Sequence, residues 1–353
     1  MADCRDTNHR VWQKSTISEN AEISRPRFAR RFDLALSSPS SAYASLRARV
    51  PITTSWWFAI LCSFSVIYRR LLNFRLSFLN RQPFILSGMS APAGFVPDSY
   101  EKYLVPILFA GYARDLAERV KNAKPSKVLE LACGTGVVTR ELMQALDPDA
   151  SLVATDFNPA MLEYARTTAQ AEKFPNLDWQ TADATALPFD DDSFDLLVCQ
   201  FGFMFFPDKS KAMAEVKRVL KPGGRLIFNV WGAMEDNPVF YSVELALQEL
   251  LPEEPVPIIP TPCSMADHEL LSTLLVEAGF EDIQVTDVIL PVRGHPASAV
   301  ASGFTRGTPV GALLAERGIE STHAHERLEA TARKLMGDTL DSTMLAIICE
   351  ARA

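Results

Sequence analysis

From residue 127 onward, short apolar runs alternate with stretches of helical period. Val128, Leu129 and Leu131 make an apolar run suited to a buried parallel strand, and Val137 to Leu146 repeats at helical spacing behind it. A second strand is expected over Ser151 to Thr155, closed by Asp156. Asn158 and Pro159 then start a helix, as N-cap and first-turn proline. Leu177 to Thr181 and Phe194 to Gln200 predict a third and a fourth strand. Ala212 to Leu220 is amphipathic, K-P-G-G is a sharp turn, and Arg225 to Trp231 predicts a fifth strand. Strand and helix in alternation point to a Rossmann-like, doubly wound α/β sheet with parallel strands.

The remainder of the 353-residue chain differs in charge. Residues 1–88 carry a net charge of +8 and residues 89–353 a net charge of −16, which predicts two regions with different tasks. Apolar residues are 48% and charged residues 22%, excluding a wholly disordered chain. The acidic main region argues against a nucleic-acid partner, since it lacks a basic path. The six Cys form no C-x-x-C pair, so no structural metal site is expected, and Asp190-Asp191-Asp192 reads as a solvated turn.

Within residues 1–88, positions 50–68 are uncharged and rich in Trp, Phe, Ile and Leu, just long enough for a membrane-spanning helix. Serines, threonines and Pro51 dilute that stretch. Three readings stay open: a membrane anchor with the main region on the cytoplasmic side, an Arg/Ser-rich targeting segment, or an extension that adds nothing to the fold, with translation starting at Met89.

Candidate chemistry gathers at the strand ends. Gly134 and Gly136 follow the first strand at once. Without Cβ atoms they let a ligand approach the backbone, and the helix start behind them offers free N–H groups. Thr139 stands where a dinucleotide fingerprint has its third glycine, which counts against an NAD-dependent oxidoreductase. Glu130, inside the strand, needs a partner, and a cationic amine would provide one. Asp156 lies where nucleoside-binding folds keep an acid for the ribose hydroxyls, with Phe157 beside it. Met161 is placed to flank an adenine ring. Asp183, with Ala184 beside it, ends the third strand within reach of an adenine amino group. Gln200, Phe201, Phe203, Phe205 and Phe206 end the fourth strand near the reacting end of such a ligand. Some of those rings are expected to be core.

The stretches V-L-E-L-A-C-G-T-G, A-T-D-F-N-P-A-M-L, A-D-A-T-A-L-P-F and R-V-L-K-P-G-G-R-L, in this order, resemble the class I S-adenosylmethionine-dependent methyltransferases. The likeness is greatest to the branch with the ubiquinone and menaquinone C-methyltransferases, and it covers about residues 95–235. It implies Glu130 and the Gly134–Gly136 turn on the methionine portion, Asp156 on the ribose, Asp183 near the adenine and Gln200 near the methionine end. It also implies a seven-stranded sheet with the last strand antiparallel. Ile283 to Val292 and Met344 to Ala351 are candidates for the last strands, with a helix over Asp267 to Ala278. Tyr100 and Tyr103 lie on an N-terminal segment that in such enzymes often closes over the cofactor.

Residues 237–262 and 294–341 fall outside the motifs, contain helical patterns at Val243 to Leu251 and Glu326 to Met336, and are expected to act as lids. With Phe201, Phe203, Phe205, Tyr100 and Tyr103 facing the substrate, they suggest a small, largely apolar methyl acceptor. S-adenosylmethionine is the cofactor expected, S-adenosylhomocysteine the product, and no metal is expected. None of His9, His268, His295, His323 and His325 sits in a motif, so no catalytic residue is assigned. Besides the oxidoreductase, a cofactor-binding regulator without catalysis is an alternative.

Overall fold

The computed structural model describes residues 96–169, 174–253 and 260–353. Positions 1–88, with the stretch 50–68, lie outside the described residues, as do 254–259 within the first expected lid.

The first described residues are helical. A turn at Pro97–Ser99 widens into a π-helical segment, Tyr100–Phe109, and continues as α1 (Ala110–Ala123). Pro106 lies inside the wide segment. A proline there has no N–H to donate and crowds the preceding turn, so the helix accommodates it by widening. Leu104, Val105, Ile107 and Leu108 are nonetheless buried, which anchors the segment.

Next come β1 (Lys127–Leu131), α2 (Val137–Ala145), β2 (Ser151–Asp156), α3 (Pro159–Thr168), β3 (Leu177–Thr181), β4 (Phe194–Gln200), α4 (Lys209–Val219) and β5 (Leu220–Trp231). They match the expected order, with α4 starting three residues earlier because Asp208 caps it by accepting from Lys211 N–H. K-P-G-G falls within β5, and its pairing with β4 slips there, between Phe194 and Leu196.

The sheet order is β3-β2-β1-β4-β5-β7-β6. β1 to β5 are parallel, while β7 (Thr339–Arg352) runs antiparallel to both β5 and β6 (Glu281–Pro296). Both last strands are longer than the apolar runs suggested, because their polar ends pair with each other out to Pro296 and Thr339. Between β1 and β4 the chain changes its direction of travel across the sheet. Ligands of such sheets lie beyond the carboxyl ends at that switch point.

The remaining helices are α5 (Pro238–Leu250), α6 (His268–Glu277), α7 (Ala297–Gly307), α8 (Val310–Glu316) and α9 (Ser321–Met336). The last three lie between β6 and β7 and pack with α5 and with the π-helical segment. Among the described residues no helix is long and apolar enough to cross a membrane.

Gly307 sets how closely α7 meets the N-terminal segment. A Cβ there would come within 2.8 Å of Tyr100 N and 2.9 Å of its Cα, both backbone atoms that cannot swing aside. Gly307→Ala is therefore expected to lower thermal stability by about 1–3 kcal/mol through overpacking. A melting curve superimposable on the wild type would refute that contact.

Candidate functional site

The carboxyl ends of β1, β2 and β4 carry the polar groups the motifs pointed to. Gly134 and Gly136 both have positive φ, +56° and +82°, a conformation that favours glycine. A Cβ on Gly134 would meet nothing within 4 Å, so the space over the turn is open. At Gly136 it would sit 3.1 Å from Ala165 Cβ, so that glycine also lets α2 start hard against α3.

Asp156 ties this turn to the next helix. Its Oδ2 accepts the Gly134 N–H at 2.8 Å and its Oδ1 the Asn158 N–H at 2.8 Å. Burial raises its pKa, and the two backbone donors work against that rise. A carboxylate has about four lone-pair sites, so two stay available for ribose hydroxyls. Asn158 in turn caps α3 through Ala160 N–H, as its sequence position predicts.

Glu130 is buried, and burial pushes its pKa up to about 7 against the hydrogen bond from Thr139. Thr139 Oγ1 donates to Glu130 Oε2 at 2.6 Å. The residue whose presence counted against a dinucleotide fingerprint thus has a positive task, since glycine has no hydroxyl to donate. Among the described residues, Glu130 Oε1, Thr135 Oγ1 and Gln200 Oε1 are buried without a hydrogen-bond partner. Two of these three are acceptor-only oxygens, a set that suits a ligand bearing an ammonium group.

Asp183 is exposed. One of its oxygens accepts from Thr185 N–H and Oγ1, each at 2.8 Å. The Ala182 N–H donates to Asp156 O at 3.1 Å, which keeps the two acids on neighbouring strand ends. Ala184 is buried, Met161 half-buried and Phe157 exposed. Gln200 is buried, and its Nε2 donates to Phe109 O at 3.4 Å.

The aromatic residues divide. Phe201 lies flat on Trp231 with ring centroids 3.8 Å apart, and both meet Phe109 and Tyr112 edge-on. Tyr100 stacks on Phe109 at 5.2 Å, and Trp231 reaches Phe240, which meets Phe304 of the insertion. Phe203, expected to face the substrate, is instead a core ring. It is fully buried against Phe206 and Phe228, because its backbone turns inward directly after Gly202. Phe205 points outward and is half exposed. Tyr103 lies against Gly303 of α7, with Lys102 Nζ 5.1 Å from its ring centroid.

Residues missed from sequence bind the roof to the cleft. Glu101 pairs with Arg140 of α2, whose Nη1 also donates to Thr135 O at 2.8 Å within the glycine turn. Burial raises the pKa of Tyr164 on α3, and Asp98 adds to that rise. No local pattern marks Glu101, because its partner is 39 residues away. Asp191 serves as an ion-pair partner of Arg218, and among the described residues no group of three or more His, Cys, Asp or Glu is arranged to hold a metal ion.

The donor and acceptor set fits S-adenosylmethionine. Glu130 and Gln200 carry unpartnered acceptor oxygens of the kind an ammonium group takes, the glycine turn has open backbone, and Asp156 keeps lone pairs of the kind hydroxyls take.

Residues 128–224 match the model of a methyltransferase domain family. The chain is 40% identical over 117 residues to a demethylmenaquinone methyltransferase of Deinococcus radiodurans, covering 33% of this chain and 48% of that protein. It is 31% identical over 181 residues to the ubiquinone/menaquinone biosynthesis C-methyltransferase UbiE of a Shewanella species, covering 48% of this chain and 72% of that protein. Among solved structures it is similar to the YcgJ protein of Bacillus subtilis, at 20% identity with a TM-score of 0.48, covering 69% of this chain and 98% of the other. The chain thus spans about half the length of the first of these relatives and nearly three quarters of the second. On that extent of identity, the chain belongs to the S-adenosylmethionine-dependent methyltransferase family that includes the ubiquinone/menaquinone C-methyltransferases.

Proposed function

We propose that this protein transfers a methyl group from S-adenosylmethionine to a small, largely apolar acceptor, such as a quinone-type ring with an apolar tail. One observation carries the cofactor half: the glycine turn is held by Asp156 at 2.8 Å beside a buried Glu130 with an unpartnered oxygen. The acceptor half draws on the aromatic side chains at this end of the sheet that reach solvent, Phe205 half exposed and Tyr100 partly so, and on relatives named for menaquinone and ubiquinone methylation. The unit proposed to do this spans 89–353, with 1–88 as a separate basic extension.

When bound, S-adenosylmethionine supplies a methyl group on a positively charged sulfur. The chain's contribution is alignment and exclusion of water. Glu130 holds the ammonium end, and Asp156 holds the ribose and keeps the glycine turn in register. The buried stack of Phe201 on Trp231 fills the end of the sheet next to Gln200 and keeps water out of it. The five histidines are given no part in the transfer.

Titration calorimetry tests the reading. S-adenosylmethionine is expected to bind and NAD to show no heat of binding. NAD binding in preference would overturn the assignment, because Thr139 and Glu130 would then not be serving a cationic amine.

A further inference from the structure

Phe201 has φ +51°, a left-handed backbone that a bulky residue adopts only when its surroundings enforce it. The residue follows Gln200 at the very end of β4. Across the switch point, Ala132 follows β1 in the same strained conformation, with φ +54°. The turn between them is tight: a Cβ on Gly202 would come within 2.8 Å of Ala132 Cβ.

Asn229, through its side chain and its backbone, holds the Phe201 N–H. Asn229 Oδ1 accepts the Phe201 N–H at 2.9 Å, and the Asn229 backbone O shares the same N–H at 3.1 Å. Asn229 is fully buried, and it is the register partner of Gln200 on the neighbouring strand. Its Nδ2 has no hydrogen-bond partner among the described residues. A buried asparagine with an unused donor costs more than an apolar residue of the same shape. Packing alone therefore does not explain it.

We propose that Asn229 is a positioning residue for methyl transfer. By holding the Phe201 backbone left-handed, it lays that ring flat on Trp231, with 4° between the planes, and fixes the Gln200–Phe201 peptide at the end of β4. It touches neither cofactor nor acceptor. It acts through Phe201. The inference rests on the methyltransferase reading for its effect on rate, but not for the local geometry it describes.

A double-mutant cycle tests it, with a demethylated naphthoquinol as acceptor probe. Asn229→Leu is expected to lower kcat by about 10- to 100-fold, the scale of a misplacement near 1 Å. Affinity for S-adenosylmethionine by calorimetry is expected to fall by less than kcat does, because Glu130, Asp156 and the glycine turn keep their own hydrogen bonds. Phe201→Gly removes the strain together with the ring, since glycine adopts positive φ freely. In that background Asn229→Leu is expected to lower kcat no further. Multiplicative losses in the double variant would overturn the proposal, as would an unchanged kcat in the single variant.

Where Asn229→Leu does not fold, Asn229→Ser, which leaves room for a water, is put through the same cycle under the same criteria. Near-ultraviolet circular dichroism reads the Phe201–Trp231 stack without cofactor or acceptor. Loss of the Trp231 signal in the Asn229 variant is expected, and a retained signal refutes the positioning role. If the wild type neither bound S-adenosylmethionine nor methylated the probe, the functional reading would fail while this spectroscopic result still judged Asn229.

Discussion

Asp156→Ala is expected to reduce affinity for S-adenosylmethionine by about 100-fold, and to reduce stability as well. Two charge-assisted hydrogen bonds, to Gly134 N–H and Asn158 N–H, are lost together. Each such bond contributes roughly 1.5–3 kcal/mol, and a buried donor left behind adds its own desolvation penalty. The Gly134 donor belongs to a backbone already in a conformation that favours glycine, and Asp156 is the side chain that holds its N–H. Losing the ribose acceptor and loosening the turn both weaken binding, and a 100-fold change corresponds to about 2.7 kcal/mol. Asp156→Asn keeps one acceptor oxygen and is expected to fall between wild type and alanine. Calorimetric affinity unchanged in the alanine variant would remove Asp156 from the site.

Glu130 carries the second large effect, and it reverses sign between the free and the loaded protein. Its pKa of about 7 in the folded chain lies above the ordinary 4.5 because burial disfavours the charge. Between those two pH values the folded protein holds a proton that the unfolded chain has lost. Stability of the cofactor-free protein is therefore fully present below the unfolded pKa and falls as pH rises through about 7, by about 3 kcal/mol in all. Glu130→Gln cannot ionise, so its cofactor-free melting temperature is expected to exceed that of wild type at pH 8.

Binding behaves oppositely. An ammonium group favours the ionised carboxylate, so wild-type affinity is expected to rise with pH up to about 7, with a proton released on binding below it. Glu130→Gln is expected to bind about 100-fold more weakly at pH 8, with the pH dependence in this window gone. Calorimetry in buffers of different ionisation enthalpy measures the released proton directly. A pH-independent wild-type affinity between pH 5 and 7 would show that Glu130 meets no cation.

The hydrophobic pattern made much of the sheet legible because a buried parallel strand is apolar along most of its length. F-D-L-L-V-C-Q and R-L-I-F-N-V-W show this in the chain itself. Asp156 was legible as the acid closing the second strand, 20 residues past Gly136, but its bond to the Gly134 N–H was not. The strand ends of β6 and β7 were not, because their polar residues are held by pairing with each other rather than by burial. Phe203 and Phe201 carry the same side chain two positions apart, and composition cannot separate them. The left-handed turn at Phe201 sends one ring to Trp231 and the other to Phe228.

The amino-acid order by itself determined the alternation of strands and helices, the place of the glycine turn and the acids at the strand ends, because each depends on neighbours a few residues away. Only the tertiary structure decided that Thr139 serves Glu130, that Arg140 reaches both Glu101 and the glycine turn, and that Asn229 holds Phe201. Those links join side chains from separate elements, and hydrogen-bond geometry is settled only once the strands and helices have packed.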